Sequence, residues 1–306
     1  MPNIRQGSIH LFRFSGIDVF LHWSWFFVAA IEINNRARSY SSPIWNVLEY
    51  LALFFIVMLH EFGHALACRQ VGGTANHIVL WPLGGVAYVN PPQRPGATLW
   101  SIAAGPLVNV ALVPILSVLA ILSRSLGWAQ AMPHAHALLR AVWIINVGLL
   151  VFNVLPIYPL DGGQILRSLL WYVVGRARSL MATTIIGFVG VAGLILLAVL
   201  SRSVWFGILS AFILLNCWGG LRQAQALSRL AKLPHREGFA CPSCQATPLV
   251  GNLWVCGQCR EPFDTFQTQA VCPRCGARFD VTRCIECGRS HPMSEWILPV
   301  LVRPIE

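Results

Sequence analysis

Long apolar runs alternate with short polar breaks along most of the chain. The runs fall at residues 17–33, 44–68, 97–122, 141–160, 181–200 and 203–221. The third carries no charge and exceeds the roughly 20 residues a helix needs to cross a bilayer. The pattern predicts an all-α polytopic membrane protein of about six transmembrane helices, occupying residues 1–236. The first run lacks a small-residue cleavage site and reads as an uncleaved anchor. Residues 72–95, rich in Gly and Pro, read as a loop. After residue 236 the apolar periodicity stops. Residues 237–291 form a cysteine-rich segment, and 292–306 an apolar tail suited to packing on that segment or touching the membrane.

Composition agrees with the pattern. Of 306 residues, 56% are hydrophobic and only 11% charged. A soluble domain has about one quarter charged residues, so a water-soluble globule and a disordered chain are both excluded. The charge balance is basic, with 22 Lys+Arg against 12 Asp+Glu. With the N-terminus in the cytoplasm, eleven cations lie on that side: Arg5, Arg13, Arg69, Arg94, Arg167, Arg176, Arg178, Arg222, Arg229, Lys232 and Arg236. Five lie opposite: Arg36, Arg38, Arg124, Arg140 and Arg202. The excess favours a cell-membrane protein with a cytoplasmic N-terminus and a cytoplasmic cysteine-rich tail, in a compartment that keeps thiols reduced.

The second run contains His60-Glu61-Phe62-Gly63-His64. On a helix, residues four apart share a face, so both imidazoles can ligate one metal ion. Glu61 lies beside them and suits a general base acting on water at the metal. Arg69 marks the boundary of the run, which puts His60 roughly 13 Å inside it at 1.5 Å per residue. Ionisable groups at that depth persist only with a partner, a metal or a water-filled cavity. The bland alternative is a set of polar groups joining helices.

The fourth run ends in Asn153-Val-Leu-Pro156-Ile-Tyr-Pro159-Leu-Asp161-Gly162. Two prolines break the helix there, and Asp161 projects from irregular backbone that is tolerated only beside a cavity or buried in protein. The second and fourth runs finish on the same side, so His60, His64 and Asp161 can meet. Two imidazoles, one carboxylate and a water make a tetrahedral catalytic zinc site with an open position. Read alone, Asp161 is a turn residue.

These paired motifs resemble the site-2 protease family of intramembrane zinc metalloproteases. Residues 7–25, 81–89 (WPLGGVAYV) and Gly105-Pro106-Leu107-Val108-Asn109 resemble further family segments, so the likeness covers about residues 7–225. It implies cleavage of a peptide bond in or near a substrate's transmembrane segment. By resemblance the zinc ligands are His60, His64 and Asp161, the catalytic residue is Glu61, and Asn153 stabilises an oxyanion or organises the site. By the same resemblance the all-α fold carries a short β-strand or hairpin near the active site, and its strand at 81–89 is expected to offer Gly84, Gly85 and Val86 as an edge that pairs with unwound substrate. Rival readings are an inactive adaptor that binds transmembrane helices, and a metal transporter. Asn109 reads as an interhelical hydrogen bonder, His22 as an interfacial contact, His134 and His136 as loop residues, and Cys68 and Cys217 as packing residues.

The tail carries four CxxC pairs: Cys241/Cys244, Cys256/Cys259, Cys272/Cys275 and Cys284/Cys287. Two such knuckles close one tetrathiolate zinc site. Sequential pairing predicts one site from the first two pairs and another from the last two, with crossed pairing as the alternative. The segment resembles a tandem zinc ribbon holding two structural zinc ions in addition to the catalytic one. It is too small to fold on its apolar residues alone. Arg260, Arg274, Arg278, Arg283 and Arg289 are diluted by Glu237, Glu261, Asp264, Asp280 and Glu286, so a regulatory protein partner is favoured over nucleic acid.

Overall fold

A computed structural model describes residues 7–35, 40–81 and 84–298. Arg5, Arg36 and Arg38 of the charge count, and residues 299–306 of the expected tail, lie outside the described residues. The chain divides into two compact units, residues 1–91 with 95–221, and residues 92–94 with 222–306.

The first unit begins with β1 (Ser8–Phe14) and β2 (Ile17–His22), joined by a tight turn in which Ser15 and Gly16 both have positive φ. The expected first span therefore starts as a strand. Ile17, Val19 and Leu21 are buried while Asp18, Phe20 and His22 alternate outward, the two-residue period of a half-buried strand. The apolar outer residue Phe20 hides that period in the sequence. Helix α1 (Ser24–Asn35) has 12 residues and rises about 18 Å, too short to span alone. Helix α2 (Pro43–Gln70) is the first full-length span, opened by proline at its N-terminus and closed by Gly72 at φ +83.

Residues 72–95, read from their Gly and Pro content as a loop, contain the short strand and hairpin expected at 81–89; Pro82 and Leu83 of that stretch lie outside the described residues. β3 (Thr74–Trp81) pairs in parallel with β2 and antiparallel with β4 (Gly84–Asn90), giving a sheet ordered β1-β2-β3-β4. A parallel pair needs a crossover, and here the crossover is α1 and α2. Ile17, Val19, Leu21, Ile78 and Leu80 of the sheet pack on Val57, Phe62, Ala65 and Cys68 of α2. Arg69 secures the helix end by donating to the carbonyls of Ala75 (2.9 Å), Gly16 (2.9 Å) and Ser15.

Helix α3 (Pro95–Ser125), a one-turn α4 (Trp128–Ala131) and α5 (Pro133–Val154) follow. α5 starts earlier than expected and ends six residues before Leu160, so His134 and His136 are helical rather than in a loop. His136 Nδ1 lies 2.8 Å from Ser123 Oγ, and His134 Nε2 lies 2.6 Å from Ser41 Oγ. The amphipathic α6 (Asp161–Val174), α7 (Arg176–Ser201) and α8 (Val204–Leu230) complete the helices. Five helices, α2, α3, α5, α7 and α8, are long and apolar enough to cross a membrane. That is one fewer than expected among the described residues, because the first run is divided between β2 and α1. Exposed Ile121, Val151, Val189, Leu200 and Leu215 give the helices the apolar outer surface that lipid requires. The protein is a multi-pass membrane protein with a small sheet.

The second unit contains two short antiparallel pairs, β5 (Trp254–Val255) with β6 (Pro262–Phe263), and β7 (Val281–Arg283) with β8 (Ser290–Pro292), then a 3-10 turn at Met293–Trp296. Its core is small. Trp296 is buried against Phe266, with ring centroids 5.1 Å apart, and belongs to one cluster with Cys241 and Cys284. Phe263, Cys256 and Cys272 form a second cluster, and Trp254 borders both. Buried Asp264 accepts from the N–H groups of Phe266 and Gln267 and pairs with Arg236 at 2.6 Å.

Candidate metal centre

His60, Glu61 and His64 sit on the part of α2 that lies over the sheet, and all three are buried. Asp161 reaches them from α6. Gly162 and Gly163 let the segment after α5 fold across the start of α6: a Cβ at Gly162 would fall 2.2 Å from the Val154 carbonyl oxygen, and one at Gly163 would fall 2.4 Å from the Tyr158 nitrogen. That crossing fixes Asp161 as the first residue of its helix.

The three side chains converge. His60 Nε2 is 3.1 Å from His64 Nε2 and 3.0 Å from Asp161 Oδ2, and His64 Nε2 is 3.4 Å from the same oxygen. Tetrahedral zinc with bonds of about 2.0–2.1 Å needs ligand atoms roughly 3.3–3.4 Å apart, so the donor set fits zinc. The remaining ring nitrogens are occupied. His64 Nδ1 lies 2.9 Å from the Ser101 carbonyl oxygen and His60 Nδ1 lies 2.5 Å from Asn109 Oδ1. Partners of this kind hold Nδ1 protonated and leave Nε2 free to ligate. Gly105 makes room for the pair, since a Cβ there would fall 2.3 Å from His64 Nε2.

Glu61 points from the same helix toward β4. The Ala87 N–H donates to its Oε2 at 2.8 Å, and a Cβ at Gly85 would lie 2.2 Å from its Cγ. Gly85 thus sits against Glu61. Val86 is exposed, and β4 is an edge strand whose outer side has no strand partner among the described residues. Asn153 lies half-buried in the last turn of α5, with no hydrogen bond to His60, Glu61, His64 or Asp161. Asn146, Ser101 and Ala87 were not anticipated. Asn146 had a signal, as an amide in the middle of an apolar helix; Ser101 and Ala87 act through backbone atoms, which no side-chain pattern reveals.

In the second unit the eight cysteines form two quartets, but not the sequential ones. Cys241 and Cys244 meet Cys284 and Cys287, while Cys256 and Cys259 meet Cys272 and Cys275. One site is nested inside the other. Neighbouring sulfurs are 3.7 and 3.8 Å apart in the outer quartet and 3.6 Å in the inner. Four thiolates around zinc at about 2.3 Å sit roughly 3.8 Å apart, whereas a disulfide bond is about 2.05 Å. The quartets therefore have the spacing of metal sites. The Cys256 thiol is drawn down to about 6, first by the Cys259 N–H and then by that of Gln258, toward the thiolate that binds metal. The sequential expectation failed because CxxC knuckles are interchangeable; Phe263 and Phe279 at the inner site, and Trp296 at the outer, sort them.

Fold and site together define a polytopic membrane metalloprotein with a two-histidine, one-carboxylate centre beside a glutamate. The sequence model of peptidase family M50 matches residues 49–136 and 125–197, and the chain belongs to that family. A zinc metalloprotease of Methanocaldococcus jannaschii is 32% identical over 67% of this chain and 58% of its own length. A relative from Synechocystis is 27% identical over 74% of this chain and 62% of its own length. The chain thus spans about three fifths of the length of these curated relatives. The solved structure of the site-2 protease from Methanocaldococcus jannaschii matches with a TM-score of 0.51 and 27% identity, over 70% of this chain and 95% of that one.

Proposed function

We propose that the protein is a zinc metalloendopeptidase that hydrolyses a peptide bond in or near a transmembrane segment of a membrane-protein substrate. The convergence of His60, His64 and Asp161 beside Glu61, inside the helical bundle, carries this reading. These three residues hold one catalytic zinc ion, which when bound supplies Lewis acidity and eases ionisation of a water. Glu61 removes a proton from the attacking water and returns it to the leaving amine. The Ala87 N–H aims its carboxylate, and Gly85 confines it. Asn153 organises the site or steadies the developing oxyanion. Substrate, unwound from its helix, adds to the β4 edge at Gly84, Gly85 and Val86.

Two structural zinc ions occupy the cysteine quartets, giving three ions in all. The working parts are a protease domain at residues 1–236, a zinc ribbon at 237–291 and a tail at 292–306. The N-terminus and ribbon face the cytoplasm, a reading supported by the arginine excess on that side and by eight thiols kept free for metal. The ribbon engages a regulatory protein rather than nucleic acid.

Reconstitution with a model transmembrane substrate tests the proposal. Glu61→Gln should retain zinc and lose cleavage by about 10²–10⁴-fold or more. His60→Ala should lose one zinc ion and leave the tail's zinc in place. Normal cleavage by Glu61→Gln would falsify the mechanism. A wild-type protein that binds the substrate uncut would be an adaptor, and one that moves zinc across the vesicle wall a transporter.

A further inference from the structure

Asn109 and Asn146 are completely buried in the helical bundle, on α3 and α5. Together with His60 on α2 they form one file of hydrogen bonds across three helices. Asn146 Nδ2 donates to the Asn109 backbone carbonyl at 3.1 Å, Asn109 Nδ2 donates to Asn146 Oδ1 at 2.8 Å, and Asn109 Oδ1 lies 2.5 Å from His60 Nδ1.

The directions along this file follow from its one fixed member. A backbone carbonyl only accepts, so Asn146 must turn its NH₂ toward Asn109 O and its oxygen toward the Asn109 side chain. That oxygen also only accepts, so Asn109 must present its own NH₂ there. The Asn109 oxygen is then left facing His60 Nδ1, which must carry the ring proton. Nε2 consequently keeps its lone pair, aimed at His64 and Asp161. We propose that Asn146 is a positioning residue that sets the tautomer of His60 through Asn109. Without it the Asn109 amide is free to flip, to offer an NH₂ to Nδ1, and to drive the proton onto Nε2, where it blocks ligation. His64 needs no such device: its Nδ1 faces the Ser101 backbone carbonyl, which cannot flip. The inference rests on the metalloprotease reading of the site.

Zinc affinity of the full-length protein in detergent, titrated against a chromophoric chelator, provides the test; the tail's zinc serves as internal reference. Asn146→Leu removes both bonds while keeping four side-chain heavy atoms branched at Cγ, and should weaken one ion about 10–100-fold, the usual effect of losing a partner that orients a ligand. Asn146→Ala carries the same expectation if the leucine variant does not fold. Asn109→Asp offers His60 two equivalent accepting oxygens, so no orientation need be imposed on it. Adding N109D to N146L should therefore restore affinity to within a few-fold of N109D alone. A purely structural role for Asn146 predicts no such rescue. Unchanged affinity in N146L, or failure of N109D to rescue, overturns the proposal. Full zinc content in a His60→Ala, His64→Ala double variant would instead overturn the metal reading itself.

Discussion

The two regions of the molecule that can hold metal solve opposite problems. In the membrane unit the ligands come from helices whose packing is set by apolar residues and by close glycine contacts such as Gly63 against the Ala104 carbonyl. Three donors leave one coordination position open, as hydrolysis requires. In the tail the ligands outweigh the core. Each quartet closes the coordination sphere, and a handful of aromatic residues must do the rest. The first is a donor set positioned by a fold; the second is a fold organised around its donor sets. Stripping all zinc with a strong chelator should separate them most sharply. A structural zinc ion contributes on the order of 10–16 kcal/mol in small zinc modules, so the tail should become protease-sensitive throughout residues 237–298 while the membrane helices keep their circular dichroism. Equal resistance in both units would show that the tail folds without metal.

The membrane site can itself be divided by two glycines that face different groups. Gly105→Ala would place a Cβ 2.3 Å from His64 Nε2, so one zinc ion should be lost and activity with it. Gly85→Ala would press on Glu61 instead. Zinc content should stay at the wild-type value while kcat falls about 10²-fold, the effect of a reacting group displaced by roughly 1 Å. Zinc loss in both variants would mean that β4 and α3 support a single rigid cradle rather than separate metal and base positions.

How much of this was legible in the sequence differs between the regions for physical reasons. His60, Glu61 and His64 could be read because a spacing of four has one meaning on a helix, and Asp161 because two prolines end its run. The strand at Ile17–His22 was misread because apolar Phe20 stands on its outer face between Asp18 and His22, and the apolar helix that follows carries the run on to Ile33, which masks the alternation that marks a strand. Helix α6 was missed because its apolar residues cover one face only, without the continuous run that marks a span. In the tail the ligands were obvious and their partners were not, since identical knuckles carry no label. Asn146 went unnoticed because an amide in an apolar helix has many acceptable partners, and only the packing of α5 on α3 selects one.

The nested quartets yield the smallest expected effect and the finest comparison. The inner site joins Cys259 to Cys272, 13 residues apart, and the outer joins Cys244 to Cys284, 40 residues apart. Closing the longer loop alone costs about 1 kcal/mol more entropy, roughly fivefold in affinity. Inner closure shortens the path the outer site must span, and Phe266, which lies between the inner knuckles, supplies part of the outer core. Cys241→Ser with Cys284→Ser should therefore leave an inner site that binds about fivefold more tightly than the outer site left by Cys256→Ser with Cys275→Ser. Cobalt titration followed by thiolate charge-transfer absorption reads both. Equal affinities would mean that loop length is offset by the Trp296 and Phe266 packing, and would make the aromatic cluster, not the nesting, the feature that orders metal loading.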